Sequence, residues 1–220
     1  MTGYGADPST PPAKSDSRPS LLICMTGASG SIYGVKLLEA AIGRFSPLYL
    51  VLSARAREVM KIELGMDPGS GGDAAVRLLG ERASDVRAYP PRTMQAPFAS
   101  GSAAADAMVV APCSMGTLSR IASGVSDDLI TRAADVAMKE RRKLILVPRE
   151  TPYSTLHLRQ MTALSEMGVI ILPASPPFYH RPKTIDELVG MVVDRILAHT
   201  GLARAGAYRW TETATEEGVE

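Results

Sequence analysis

The sequence predicts one doubly wound α/β domain, a flavodoxin-like (Rossmann-type) parallel sheet with helices on both faces. Three observations point to this class. Short apolar runs of four or five residues recur without polar interruption, as strands buried on both faces do. Longer stretches with helical spacing alternate with them, the pattern of βαβ units. The composition supplies an aliphatic core, since 45% of the 220 residues are apolar and only 5% aromatic. It excludes a disordered chain and a coiled coil. Basic residues number 24 against 23 acidic, a net charge of +1 that argues against nucleic-acid binding driven by bulk charge. No apolar stretch reaches the roughly 18 residues that span a bilayer.

Residues 1–18, rich in Pro, Ser, Gly and Thr, read as a flexible extension without an export signal. Leu21-Leu-Ile-Cys-Met25 is the first strand, followed by a Gly-rich turn and a helix over 32–42. Leu48-Tyr-Leu-Val-Leu52 is the second strand, and 54–64 the second helix, with Ser53 as N-cap. Residues 66–73, dense in Gly with one Pro, form a loop. Met108-Val-Val-Ala111 is the third core strand; Pro112 is expected to stop it, and a helix starts near Met115. An amphipathic helix covers 127–141, a strand 144–147, a helix 156–167 and the last core strand 169–172. The closing helix covers 184–199, with Thr184 and Glu187 spaced as a capping box. Residues 211–220 read as an acidic tail. Cys24 and Cys113 lie far apart inside apolar runs, which indicates reduced thiols in a cytoplasmic protein.

In such sheets ligands bind outside the carboxyl ends of the strands. The loop after the first strand has glycines at 27, 30 and 34, and its helix N-terminus offers N–H groups to a phosphate. The spacing G-x-x-G-x-x-x-G departs from the dinucleotide fingerprint, and Ser53 stands where an acidic residue would hold a ribose. A mononucleotide is therefore favoured over NAD. After the third strand, Ser114 and Thr117 can cap a helix while contacting an anion. After the fourth, Arg149 and Glu150 stand between two prolines: a guanidinium to bind phosphate, and a carboxyl to hold or deliver a proton. Tyr179 sits in a proline-flanked turn. His157, His180 and His199 lack metal-ligand spacing, neither Cys belongs to a C-x-x-C pair, and no G-x-S-x-G is present. No metal site is expected. The run Lys139-Glu-Arg-Arg-Lys143 reads most simply as a solvated helix end.

Several strings together resemble the flavin prenyltransferases of the UbiX type: Thr26-Gly-Ala-Ser-Gly30, Ala99-Ser-Gly-Ser102, Val110-Ala-Pro-Cys-Ser-Met-Gly-Thr-Leu-Ser119, Gly124-Val-Ser-Asp-Asp-Leu129, Arg141-Arg-Lys-Leu-Ile-Leu-Val-Pro-Arg-Glu-Thr-Pro152 and Pro177-Phe-Tyr179. The likeness runs over residues 19–210, the expected catalytic domain. It implies a homododecamer that binds FMN at subunit interfaces. The implied activity joins a dimethylallyl group from dimethylallyl phosphate to reduced FMN without a metal. The prenylated FMN then serves a UbiD-type decarboxylase. By position the resemblance assigns Gly27, Ala28, Ser29, Ser53, Ser114, Met115, Gly116, Thr117 and Arg149 to the flavin, with Ser29 near its reacting nitrogen. It assigns Gly101, Lys139, Arg149, Glu150, Tyr179 and Arg195 to the prenyl phosphate, drawn from more than one subunit, with Trp210 covering the prenyl chain. Glu150, Ser29 and Lys139 are the expected catalytic residues. The family carries an aromatic shortly before the Ala-Ser-Gly-Ser string, whose π face can stabilise an allylic cation. Met94 stands there in this chain, polarizable but weaker in that role.

Two other readings compete. Flavin-dependent decarboxylases of the phosphopantothenoylcysteine type carry a catalytic His in the N-terminal half and a Pro-Ala-Ser-Ala-Asn-Thr-like string. This chain has no His before 157 and reads Pro112-Cys-Ser-Met-Gly-Thr117. A non-catalytic flavin carrier would need the glycine loops but not Lys139, Arg149, Glu150, Tyr179 and Arg195.

Overall fold

A computed structural model describes residues 17–69, 71–179 and 181–202. The expected extension, the acidic tail, Trp210 and His180 fall wholly or mainly outside them. Six parallel strands form one sheet: β1 (Leu21–Met25), β2 (Leu48–Leu52), β3 (Val86–Tyr89), β4 (Ala107–Cys113), β5 (Lys143–Pro148) and β6 (Ile170–Ile171). Their order is β3-β2-β1-β4-β5-β6. Without the edge strand β3 this is the flavodoxin order, and the direction of winding switches between β1 and β4. Side chains alternate between the two faces. Leu21, Ile23 and Met25 enter one core with helices α1 (Ser31–Ala41), α2 (Ala54–Leu64), α3 (Ala74–Leu79) and α7 (Ile185–Thr200). Leu22 and Cys24 enter the other with α4 (Met115–Ala122), α5 (Leu129–Lys139) and α6 (Thr155–Glu166).

Most expected elements fall within a residue or two of their observed bounds, and Ser53 caps α2 by accepting from the Ala56 N–H at 3.0 Å. The differences have local causes. Strand β3 and helix α3 were not foreseen: β3 is a four-residue edge strand with only Val86 buried, and α3 has six residues. Helix α5 starts later than expected because Asp128 caps it in a reciprocal box with Thr131. The Thr184–Glu187 box is half formed. Thr184 Oγ1 accepts from the Glu187 N–H, but the Glu187 carboxylate accepts from Lys183 instead, at 2.7 Å.

Pro112 does not end the third core strand. Strand β4 continues to Cys113, and the step from Val110 to Cys113 spans three residues against the two from Leu146 to Pro148 on β5. Pro112 has no N–H to give the ladder, and one extra residue bulges there. The bulge turns Cys113 to the same face as Met108 and Val110. Both thiols are fully buried; burial pushes Cys113 up to about 12 and raises Cys24 as well, so neither is a thiolate nucleophile at neutral pH.

Candidate active site

The carboxyl ends of β1, β4 and β5 meet at the switch point, and one buried residue joins the first two. Thr26 donates from its N–H to the Pro112 carbonyl at 3.1 Å and from its hydroxyl to the same oxygen at 3.0 Å. That hydroxyl also accepts the Ser114 N–H at 2.7 Å. The β4 bulge delivers Pro112 and Ser114 to this clamp. Ser114 then caps α4, its Oγ accepting from the Thr117 N–H at 3.3 Å and lying 3.1 Å from the Thr117 hydroxyl. Met115 and Thr117 are buried beneath the first turn of α4, whereas a Cβ placed on Gly116 would meet nothing within 4 Å. The space above that turn is open, beside N–H groups that lack partners within the helix.

Each glycine of the first loop answers a different constraint. Gly27 lies against α2, where a Cβ would collide with Arg55. Gly30 has φ +104°, in the left-handed region. Gly34 packs α1 on the sheet, where a Cβ would collide with the Ala111 carbonyl and stand 2.6 Å from Met25 sulfur. The N–H groups expected to be free for phosphate at α1 are taken. Glu63, from α2, accepts from Gly30 at 3.0 Å and from Ser31 at 2.8 Å. Burial alone would raise its pKa, but hydrogen bonds from the Ser29 side chain and the backbone of Ser31 and Gly30 outweigh that and hold it below the usual carboxylate range. Sequence reasoning missed Glu63, because its contact spans more than thirty residues and nothing in the α2 pattern marks it.

Strand β5 adds the charged pair. The Arg149 N–H donates to Cys113 carbonyl at 3.4 Å, and its Nε donates to the Ser29 carbonyl at 3.1 Å. Glu150 accepts from the Thr151 N–H at 3.0 Å and is exposed. Burial and the Glu150 charge raise the pKa of neighbouring Tyr153. Gly27, Ala28, Ser29, Ser53, Ser114, Met115, Gly116, Thr117, Arg149 and Glu150 therefore gather at one edge of the sheet. Tyr179, 77% exposed, follows a segment that runs along β5 to the same edge, where the Ala174 N–H donates to Pro148 carbonyl at 3.1 Å.

The remaining expected residues stand elsewhere. Lys139 ends α5 just before β5 begins, and Gly101 packs against it ahead of β4. Both lie at the amino ends of the strands, and the six-residue β5, about 20 Å long at the usual rise per residue, separates them from Glu150. Arg195 is on the opposite face of the sheet, in the final third of α7. Burial first, then the charges of Arg195 and Lys143, lower the pKa of His199 nearby. Met94 is 46% exposed. Among the described residues, no three His, Cys, Asp or Glu side chains come together as a metal site would require.

Residues 9–197 match the flavoprotein family model. The flavin prenyltransferase UbiX of Pseudomonas aeruginosa is 43% identical over 196 residues, covering 87% of this chain and 94% of that protein. The chain belongs to the flavin prenyltransferase family. Among solved structures, AnUbiX (PadA1) in complex with FMN and dimethylallyl pyrophosphate superposes with TM-score 0.79 at 39% identity, over 88% of this chain and 98% of that one. A dodecameric FMN-dependent UbiX-like decarboxylase from Escherichia coli O157:H7 gives TM-score 0.76 at 43% identity, over 87% and 99%. A phosphopantothenoylcysteine decarboxylase shares the fold alone, at 20% identity and TM-score 0.51. That rival is thus far more distant from the chain than the flavin prenyltransferases are.

Proposed function

We propose that this flavin prenyltransferase transfers a dimethylallyl group from dimethylallyl phosphate to reduced FMN, and that the prenylated FMN passes to a UbiD-type decarboxylase. The observation that carries the reading is the hydrogen bond from the Arg149 guanidinium to the Ser29 carbonyl, which sets a cation against the glycine loop at the switch point, with the Glu150 carboxyl on the next residue. A flavin carrier needs a cradle but not this combination. The open first turn of α4 over Gly116, the Ser53 and Ser114 loops and the Gly27–Ser29 backbone fit a flat mononucleotide.

The reduced flavin supplies the nucleophile. The chain's residues handle the leaving group and the water. Arg149 binds anionic oxygens in its planar fork. Lys139, Tyr179 and Arg195 surround the prenyl phosphate, which leaves with the C–O electron pair, and Glu150 provides a proton to it. Fixed cations at the leaving group favour this departure, and a dry pocket keeps the allylic cation from water. Glu63 orients the Ser29 hydroxyl through their hydrogen bond.

Lys139 and Glu150 lie at opposite ends of one sheet, so they share a site only between copies. This supports a closed homo-oligomer, which we set at twelve subunits, and Leu156, Leu158 and Phe178, all at least half exposed, supply apolar surface for it. Residues 19–210 form the catalytic domain in this reading. No helix among the described residues is long and apolar enough to cross a membrane, and we place the enzyme in the cytoplasm.

The test is incubation with reduced FMN and dimethylallyl phosphate, followed by mass spectrometry of the flavin. The expected result is FMN heavier by one dimethylallyl unit, with no product from oxidised FMN. Unchanged flavin would indicate a carrier. Product under strictly oxidised conditions would overturn the mechanism. Light scattering that finds an active monomer would overturn the oligomeric site.

A further inference from the structure

Lys139 and Glu140 form an ion pair although they are neighbours in sequence. Adjacent side chains on a helix diverge and do not face each other. These two meet because Lys139 is the last residue of α5, Glu140 is its C-cap, and both bend over the turn at Gly101. A Cβ on Gly101 would collide with Glu140 Oε1 and stand 2.6 Å from Lys139 Nζ. A side chain at 101 would make the mobile ends of the pair shift from this seat. Two of the nearby cations are engaged elsewhere: Arg142 with Asp106 at 3.2 Å, and Lys143 with the Thr200 carbonyl at 3.2 Å. Both members of the Lys139–Glu140 pair keep over a third of their side-chain surface exposed, a setting in which ion pairs contribute little to stability.

We propose that Glu140 is a positioning residue for Lys139, and that Gly101 serves by leaving the seat for their pair. A lone lysine samples many rotamers. Held by one carboxylate, the ammonium keeps two N–H donors for a phosphate presented by a neighbouring copy. Gly101 then acts through Lys139 and need not touch the substrate. This inference rests on the reading of Lys139 as a phosphate ligand.

The test is a double-mutant cycle on the full-length, FMN-loaded enzyme with dimethylallyl phosphate as the varied substrate. Glu140→Gln should raise KM for dimethylallyl phosphate about tenfold, the order expected when one hydrogen bond to the phosphate is lost. It should leave kcat, FMN affinity and Tm nearly unchanged. Gly101→Ala should show the same KM signature. In a Lys139→Met background, Glu140→Gln should add nothing further. An undiminished Glu140→Gln effect in that background, or no effect of Glu140→Gln where Lys139→Met raises KM, overturns the inference alone. A Lys139→Met enzyme with unchanged KM overturns the assignment of Lys139 and the inference together. Acylation of the Lys139 amine, followed by mass spectrometry, gives a readout apart from activity: it should be faster in Glu140→Gln than in wild type, and an equal rate would contradict the pair.

Discussion

At the carboxyl ends of the strands, backbone atoms and one buried hydroxyl, that of Thr26, clamp β1 to β4, and the charged groups there, Arg149 and Glu63, bond to backbone atoms of the first loop. At the amino ends, the contacts are made by charged side chains reaching into water: Lys139 to Glu140, and Arg142 to Asp106. The first arrangement is rigid because its partners are covalently part of the strands. The second is adjustable and faces outward. A cradle for a flat ligand calls for the first kind, whereas a cation offered to another subunit calls for the second. In the proposed reading, each chain lends its rigid end to one site and its charged end to a neighbour's.

The largest effect expected at the rigid end is on chemistry. Glu150→Gln keeps the shape and removes the acid, so single-turnover rates should fall on the order of 10²-fold while flavin binding holds. Reaction at close to the wild-type rate would remove Glu150 from the catalytic residues and leave the rigid end as a binding cradle only.

Mixing tests whether the two ends truly serve different copies. Glu150→Gln and Lys139→Met proteins, each impaired alone, are dissociated together and reassembled at equal amounts. If a site takes Glu150 from one subunit and Lys139 from another, about a quarter of the sites regain both, by random placement in a symmetric closed assembly. Activity that stays at the level of the separate variants would place both residues in one subunit's site and erase the comparison.

Next in size is the clamp. Thr26→Val keeps the branched shape but strips the hydroxyl, leaving the Ser114 N–H without its acceptor. An unsatisfied buried group costs about 1–3 kcal/mol, and the loss should appear in denaturant unfolding together with weakened flavin affinity. A stable variant with normal FMN binding would mean that the β1 and β4 loops are held by strand geometry alone.

How much of this was legible in the sequence follows from the range of the interactions. The strands at 21–25 and 48–52 and the Ser53 cap are local, set by apolar runs and a hydroxyl three residues from its donor, and the sequence carried them. The loop residues of the site were visible for the same reason, since strand-to-helix turns mark where ligands bind. Val86–Tyr89 was not, because an edge strand with one buried residue leaves no apolar run. Pro112 reads as a strand end because it has no N–H for the ladder, whereas the bulge that absorbs it is a feature of the pairing between β4 and β5. Glu63 and the seat at Gly101 depend on contacts across more than thirty residues, which no spacing rule reaches.

The smallest expected effect lies at the charged end and concerns pH. The Asp106 carboxylate accepts from the Ser20 N–H at 2.9 Å and the Ser20 hydroxyl at 2.8 Å, and Arg142 lies 3.2 Å away. The backbone hydrogen bond from Ser20 is the chief cause that draws its pKa below 3.8, with burial opposing and the Ser20 hydroxyl and Arg142 assisting. A carboxylate whose pKa is depressed by folding contributes stability above its unfolded pKa and loses it as pH falls through the folded value. Asp106→Asn should therefore lower Tm slightly at pH 7, by less than Thr26→Val does. The gap between wild type and variant should narrow below about pH 4, where the unfolded carboxyl takes up its proton, and close once the folded one is protonated too. Thr26→Val has no titrating group to lose, so its gap should persist over the same range. A Tm difference for Asp106→Asn that is flat from pH 7 to pH 3 would mean that Ser20 is held by shape and not by charge, and the amino end would then resemble the rigid end it is contrasted with.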